Sequence, residues 1–393
     1  MDRIRLGVIG VGSVVREIYQ HLYFSSEYAS LLSIEAVADP FEQGLHEFCD
    51  AHGIPRERRF TSYESMLERV DLDAVQVNTP DSLHEKPTIA ALERGLDAMV
   101  PKPLADTIRG AHHMIEAMRA SGRLIGVDFH KRDDPRIKEC QARYGSGAYG
   151  EFQHAQWYMV DKLLVADPNH EPRFFASPDF AANNSPISFL TVHMADAFIR
   201  IVSLKPVKVR AHGWKQRLAR LEPIASHGYD LCDTEIVFEN GGVAHVVTGW
   251  HLPNTAHATT VQSSRMICTD GYIDLGLDMP GYREVIDDGI IERNPLFRNF
   301  EADGTVTGYG MSRPGRIYRK LLQHRNGTLP ERERSELNDP LELGFWTTVV
   351  CEAAEQSLER SADTVNGVTH GVEVDVASLL EDRLGAEAGR YLG

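Results

Sequence analysis

The stretch that decides the fold is Ile4-Arg5-Leu6-Gly7-Val8-Ile9-Gly10-Val11-Gly12-Ser13-Val14-Val15. Residues 4–9 form a short aliphatic, β-branched run, the composition of a parallel strand buried on both faces. A glycine turn follows at once, and a helical stretch runs from Arg16 through Phe24. Strand, glycine turn and helix make up the context that a dinucleotide-binding fingerprint requires. Gly10 permits the tight turn and Gly12 lets the backbone approach a pyrophosphate. The helix N-terminus supplies unpaired N–H groups. Val15 stands where the pattern has its third glycine, so helix and strand pack slightly farther apart.

Working outward, a second strand, Ser33-Ile34-Glu35-Ala36-Val37-Ala38, ends in Asp39, 29 residues after Gly10. The usual spacing is about 20, so the first helix or its loop is extended. An acid at this tip suits the adenosine ribose hydroxyls and selects NAD over NADP, whose 2′-phosphate it would repel. The same residue equally suits the N-cap of a helix from Glu42 to His52. Next come a strand Ala74-Val75-Gln76-Val77-Asn78 running into Thr79-Pro80, a helix Leu83 to Arg94 and a strand Ala98-Met99-Val100. A helix Thr107 to Ala120 and a strand Leu124 to Val127 complete the alternation. Repeated βα units of this size predict a doubly wound parallel sheet, an α/β dinucleotide-binding domain over 1–128. Ligands of such sheets bind beyond the carboxyl ends of the strands, so the tips at Gly10, Asp39, Thr79, Lys102 and His130 face one crevice.

Val100-Pro101-Lys102-Pro103 punctuates that alternation. Two prolines hold Lys102 on a stiff turn, which aims one ammonium group at a fixed point beside a bound cofactor. The plainer reading is an exposed lysine in a proline-rich loop. The fingerprint upstream favours the first.

Composition bounds the rest. A chain of 393 residues exceeds what one core usually supports, so two domains are expected. The formal charge of −16 argues against a nucleic-acid-binding surface. Five cysteines scattered singly fit reduced thiols in a cytoplasmic protein better than a disulfide framework. A strand that begins within a few residues of Met1 predicts no charged-then-apolar leader, and the lack of any run of about 18 apolar residues predicts no membrane-spanning helix. His245, His251 and His257 stand six apart, which matches no zinc spacing, and no metal is expected.

From about residue 150 strand signals dominate, with Asn240-Gly241 marking a hairpin turn. They predict an α+β domain over 129–365 with a large, mostly antiparallel sheet, followed by a tail helix within 366–393. Residues 280–335 are polar and rich in Gly and Arg, and yield no clear element. Ile236, Phe238, Val243, Val246 and Val247 put apolar side chains on both faces of one strand pair. One of those faces then needs a partner, which predicts a homodimer or homotetramer.

Read together, GVGSVV at 10–15, VADP ending at Pro40, DLDAVQVNTPDSLH ending at His84, ALERGLDAMVPKPLA around Lys102, HKRDDP from His130 and the pair His193/Asp196 resemble the Gfo/Idh/MocA oxidoreductases. The resemblance runs from about residue 4 to 160 and returns more weakly to about 360. It implies a hydride moving between a nicotinamide ring and a carbinol carbon of a sugar, cyclitol or derivative. It implies cofactor contacts from Gly10, Gly12, Ser13, Val14, Asp39, Asn78, Thr79, Pro80, His84, Lys102 and His130. Lys102 would touch both the nicotinamide ribose and the reacting hydroxyl, and His193 would act as acid or base. Substrate contacts would come from Lys102, Trp157, Asp161, Thr191, His193 and Asp196, although Trp157 also reads as a core residue and Asp196 as a structural helix acid. Arg132 matches a recurrent arginine three residues before a proline, and its role there is equally open to a structural one. Two departures stand out: Pro101 replaces a glutamate, and Phe189 replaces the acid four residues before His193. They leave open a non-catalytic dinucleotide-binding sensor, and the fold also admits a glycosidase that uses bound NAD transiently.

Overall fold

The structure, a computed structural model, describes residues 2–175, 179–277, 282–286 and 289–392. The chain forms two compact units. One comprises Met1–Asp134 with Leu296–Thr348, the other Pro135–Pro295 with Val349–Gly393.

The first unit is built on six strands: β1 (Ile4–Ile9), β2 (Leu32–Ala38), β3 (Arg59–Phe60), β4 (Ala74–Val77), β5 (Asp97–Pro101) and β6 (Ile125–Asp128). They lie in the order β3-β2-β1-β4-β5-β6, and every neighbouring pair is parallel. Ile4, Leu6, Val8, Val75, Val77, Val100 and Ile125 are fully or almost fully buried, as expected for a sheet covered on both faces. The crossover helices begin and end on local chemistry. Ser62 accepts the N–H of Ser65 ahead of helix Tyr63–Arg69, and Thr107 accepts that of Gly110 ahead of helix Ile108–Ser121. Gly122, with φ +65°, closes the latter helix. The strand order reverses between β1 and β4, and the crevice at such a switch point is where open α/β sheets bind ligands.

The units do not follow a single cut at residue 128. The stretch 296–348, which the sequence reading assigned to the second domain, belongs to the first unit. Its helix Tyr309–Arg325 buries Ile317, Tyr318 and Leu321. A Cβ on Gly126 of β6 would run into Ile317, so strand and helix meet at the van der Waals limit. Arginines of the helix pair with acids of the same unit: Arg316 with Asp133, Arg313 with Glu342 at 2.7 Å, and Arg325 with Asp97 at 3.3 Å. These charges make the segment look like loop in sequence and hide its apolar stripe.

The second unit carries β7 (Phe152–Lys162), β8 (Pro206–Trp214), β9 (Leu231–Phe238), β10 (Val243–Leu252), β11 (Thr260–Cys268) and β12 (Gly271–Gly276). They lie in the order β12-β11-β7-β10-β9-β8, and short strands near 364–370 extend the β8 edge. All pairings among the six are antiparallel except β7 with β10, which confirms the mostly antiparallel sheet. The β9–β10 turn is the expected one, with Gly241 at φ +83°. Helix Val192–Val202 packs Phe198 against Phe152, Trp157 and Phe238, with ring centroids 5.0, 5.7 and 5.4 Å apart. The two faces of the β9–β10 pair are less alike than the sequence suggested. Ile236, Phe238 and Val246 are fully buried or nearly so, whereas Val243 and Val247 share the other face with Asp233, Glu235 and His245.

Candidate active site

The glycine turn is shaped by its surroundings. Gly10 has φ +87° and donates to Ala38 O at 2.8 Å, and a Cβ there would lie 2.7 Å from Asn78 O. Only glycine meets both conditions. Gly12 differs: it is exposed, and a Cβ would meet nothing within 4 Å. The protein itself makes no demand for glycine at 12, and the free space above the turn fits a close-lying pyrophosphate. The segment then enters one turn of π-helix, Val15–Tyr19, before helix Gln20–Phe24.

Asp39 faces this turn. Its Oδ2 accepts the N–H of Val11 and its Oδ1 that of Phe41, each at 2.8 Å. The second bond is an Asx turn, so Asp39 orders the β2 tip and does not cap the following helix, whose N-cap is Phe41. An ionised carboxylate accepts about four hydrogen bonds, which leaves two for ribose hydroxyls. Arg16, unremarked in the sequence, reaches the same corner, donating to Val11 O at 3.1 Å and Gly44 O at 3.0 Å and facing Glu47 at 3.4 Å.

Lys102 follows β5 on a turn whose Lys102–Pro103 peptide is cis. His84 braces that turn. Its Nδ1 lies 3.0 Å from Pro103 O and its Nε2 3.1 Å from Thr79 O, so the ring ties the β4 tip to the lysine turn. Sequence placed His84 against the cofactor. The structure sets both its ring nitrogens against main-chain carbonyls, and because burial lowers its pKa the neutral ring donates to only one of them at a time. His130 packs between Tyr309 and Phe297, with centroids 6.1 and 5.2 Å away. Burial, then Lys131 and Lys102, lowers its pKa to about 3, which makes it a neutral wall of the unit. Thr79 and Pro80 stay at the β4 tip, half-buried and exposed respectively.

Beneath the crevice runs a polar network that the sequence reading missed. Tyr318 donates to Gln76 Oε1 at 2.5 Å, Gln76 to Asn78 Oδ1 at 2.8 Å, and Asn78 Nδ2 to Gly10 O at 3.3 Å. Tyr19 donates to Asp128 Oδ2 at 2.8 Å. The available signals were Gln76 inside an apolar strand run and Asp128 at the end of another, since a polar residue at a buried position implies a partner. Arg132 serves a structural role, binding Leu341 O and Glu342 O at 3.2 and 2.6 Å over the Phe129 ring.

In the second unit, His193 sits half-buried in the first turn of helix Val192–Val202. Several predicted substrate contacts are turned inward instead. Trp157 is 1% exposed and packs on Phe198, the core reading. Thr191 is fully buried, its hydroxyl 2.8 Å from that of Thr248. Asp196 is 2% exposed, and Asp161, at 5%, accepts the Thr260 hydroxyl at 2.6 Å. Phe189, where the resemblance expects an acid, is built into an aromatic cluster with Phe175, Phe180 and Trp250 at 5.4, 5.1 and 5.7 Å. Among the described residues no group of three or more His, Cys, Asp or Glu could hold a metal ion, and no helix is long and apolar enough to cross a membrane. All five cysteines are buried and unbridged.

Residues 4–129 match the sequence profile of an oxidoreductase family with an NAD-binding Rossmann fold, GFO_IDH_MocA. The chain is 24% identical over 258 residues to a D-glucoside 3-dehydrogenase of Escherichia coli, covering 63% of this chain and 71% of that one. It is 32% identical over 149 residues to an inositol 2-dehydrogenase of Saccharopolyspora erythraea, covering 37% of this chain and less than half, 42%, of that one. A scyllo-inositol dehydrogenase of Lactobacillus casei, solved with NAD(H) and scyllo-inositol, shares the fold at a TM-score of 0.66 and 17% identity, over 95% of this chain and 99% of that one. Glycine turn, strand order and profile agree on residues 4–129, the part of the chain that matches the NAD-binding Rossmann domain of the Gfo/Idh/MocA oxidoreductases.

Proposed function

We propose that this chain is an NAD(H)-dependent oxidoreductase that moves a hydride between the nicotinamide ring and a carbinol carbon of a sugar, cyclitol or sugar derivative. One observation carries the reading. The left-handed Gly10 turn, the Asp39 carboxylate and the braced Lys102 turn all stand at the carboxyl ends of strands in one parallel sheet. The names of the relatives, D-glucoside and inositol dehydrogenases, support a ring alcohol as substrate.

NAD, when bound, supplies the hydride acceptor. The chain's own residues do the rest. Gly10, Gly12, Ser13 and Val14 seat the pyrophosphate, with Asn78, Thr79 and Pro80 along the β4 side. Asp39 receives the adenosine ribose. The Lys102 ammonium holds the reacting hydroxyl and stabilises negative charge on its oxygen, while His193 takes or returns the hydroxyl proton.

A second reading is a dinucleotide-binding sensor without turnover, favoured by the aromatic setting of Phe189, which leaves no acid four residues before His193. NAD binding with no turnover across a panel of sugars and cyclitols would favour it over the enzyme.

Cofactor choice follows from Asp39. Arg16 spends donors on the main-chain carbonyls of Val11 and Gly44 and faces Glu47, whose charge opposes its own, so Asp39 sets the repulsion of a 2′-phosphate. Calorimetric titration should show NADH bound more tightly than NADPH, with Asp39→Ala narrowing the difference. Tighter NADPH binding by the unaltered protein would refute the assignment.

For the chemistry, Lys102→Ala should lower turnover by about 10²- to 10⁴-fold while NADH affinity changes little. His193→Ala should cost a similar factor, and the double variant little more, because residues acting as one relay are non-additive. Near-normal turnover by Lys102→Ala on an identified substrate would exclude this mechanism.

We further infer self-association through the mixed face of the second unit's sheet, and the exposure of that face supports it. Tyr272, Ile267 and Tyr158 are 66%, 40% and 36% exposed there, beside Val243 and Val247. Light scattering at micromolar concentration should give a dimeric or tetrameric mass, and a monomer would rule this out.

A further inference from the structure

One buried acid of the first unit takes no part in the chemistry above. Asp128 ends β6 and stands in register with Pro101, the residue before Lys102. Its Oδ2 accepts the Tyr19 hydroxyl at 2.8 Å, and both residues are 3% exposed. Tyr19 closes the π-turn that continues directly from the glycine turn. Asp128 Oδ1 is buried without a hydrogen-bond partner.

The groups facing this carboxyl come from three directions. The glycine-turn helix presents Tyr19. Helix Tyr309–Arg325 presents Arg313 and Tyr318, and the turn His130–Asp133 presents Arg132 and Asp133. The two arginines favour a charge on Asp128, but each already faces Glu342, at 2.7 and 3.4 Å. Asp133 opposes it. Burial outweighs the Tyr19 bond and the arginines, and pushes the carboxyl up to about 7.

NADH carries its negative charge on the phosphates, so a further negative charge buried under the crevice opposes its binding. We propose that Asp128 is a positioning residue for the dinucleotide: through Tyr19 it anchors the turn after Gly12 in either form, neutral it leaves an uncharged floor beneath that turn, and ionised it weakens NADH binding by its charge. This rests on the reading that the crevice takes NAD(H). The sign follows from linkage. Affinity is highest where Asp128 is protonated, falls as pH rises through neutrality, and binding in that range takes up a proton.

The test is NADH titration of the full chain by fluorescence between about pH 5.5 and pH 8.5, with calorimetry near neutrality in buffers of differing ionisation enthalpy. The unaltered protein should bind several-fold more weakly at the alkaline end and take up a fraction of a proton near pH 7. Asp128→Asn, which keeps an acceptor for Tyr19, should remove the slope and the proton uptake and stay at the tight value. Tyr19→Phe, having lost the bond that favours the ionised form, should move the transition to higher pH. Retention of the full slope by Asp128→Asn, or binding by the unaltered protein with no proton uptake, overturns the inference, and the second result does so even if neither variant folds. Failure to bind NADH at every pH instead overturns the assignment of the cofactor.

Discussion

The near-contact between Gly10 and the main chain of Asn78 is the constraint on which the site depends. β1 and β4 are adjacent at the reversal of strand order, and their ends meet so closely that a single carbon added to Gly10 would stand 2.7 Å from Asn78 O. The left-handed backbone at Gly10 turns the chain away from β1 at that point. Three further bonds fix the turn: Gly10 N–H to Ala38 O, Val11 N–H to Asp39, and Asn78 Nδ2 to Gly10 O. The turn is therefore held from β2 on one side and from β4 on the other. A cradle for a charged ligand needs this rigidity, because donors that are already oriented bind without further ordering cost.

The same economy of means appears at the lysine. Its turn has little freedom, with a proline on each side and His84 pinning Pro103 O to the β4 tip through Thr79 O. Pro101, which departs from the family's glutamate, extends β5 to the edge of this turn and lies beside Asp128 in register. The lysine turn, the β4 tip and the glycine turn are thus joined by hydrogen bonds within one unit, so a change at one is felt at the others. Helix Tyr309–Arg325 joins the same network, since Tyr318 begins the line through Gln76 and Asn78 to Gly10.

How much of this could be read from sequence depended on whether the signal was local. The glycine turn, the Asp39 tip, the lysine between prolines and the Asn240-Gly241 hairpin are short-range patterns, and each was legible. The membership of 296–348 in the first unit was not, because its apolar residues are diluted by arginines whose partners, Asp73, Asp97 and Asp133, lie some 180 or more residues away in sequence. Burial is a property of the fold and not of the local pattern: Trp157 and Asp196 each carry a structural reading beside the substrate one, and with Thr191 they are buried in the second unit. For His84 and His130 only the fold shows that one stands between two main-chain carbonyls and the other is packed among aromatic rings.

The central claim is that the carboxyl ends of β1, β2 and β4 hold a nicotinamide dinucleotide. Amide hydrogen exchange with and without saturating NADH tests it on the unaltered protein, since exchange reports local opening and ligand contact segment by segment. The account predicts slowed exchange in peptides spanning 10–19, 37–43 and 76–84, with smaller changes in the rest of the first unit. NADH binding accompanied by unchanged exchange in 10–19 and 37–43 would contradict it.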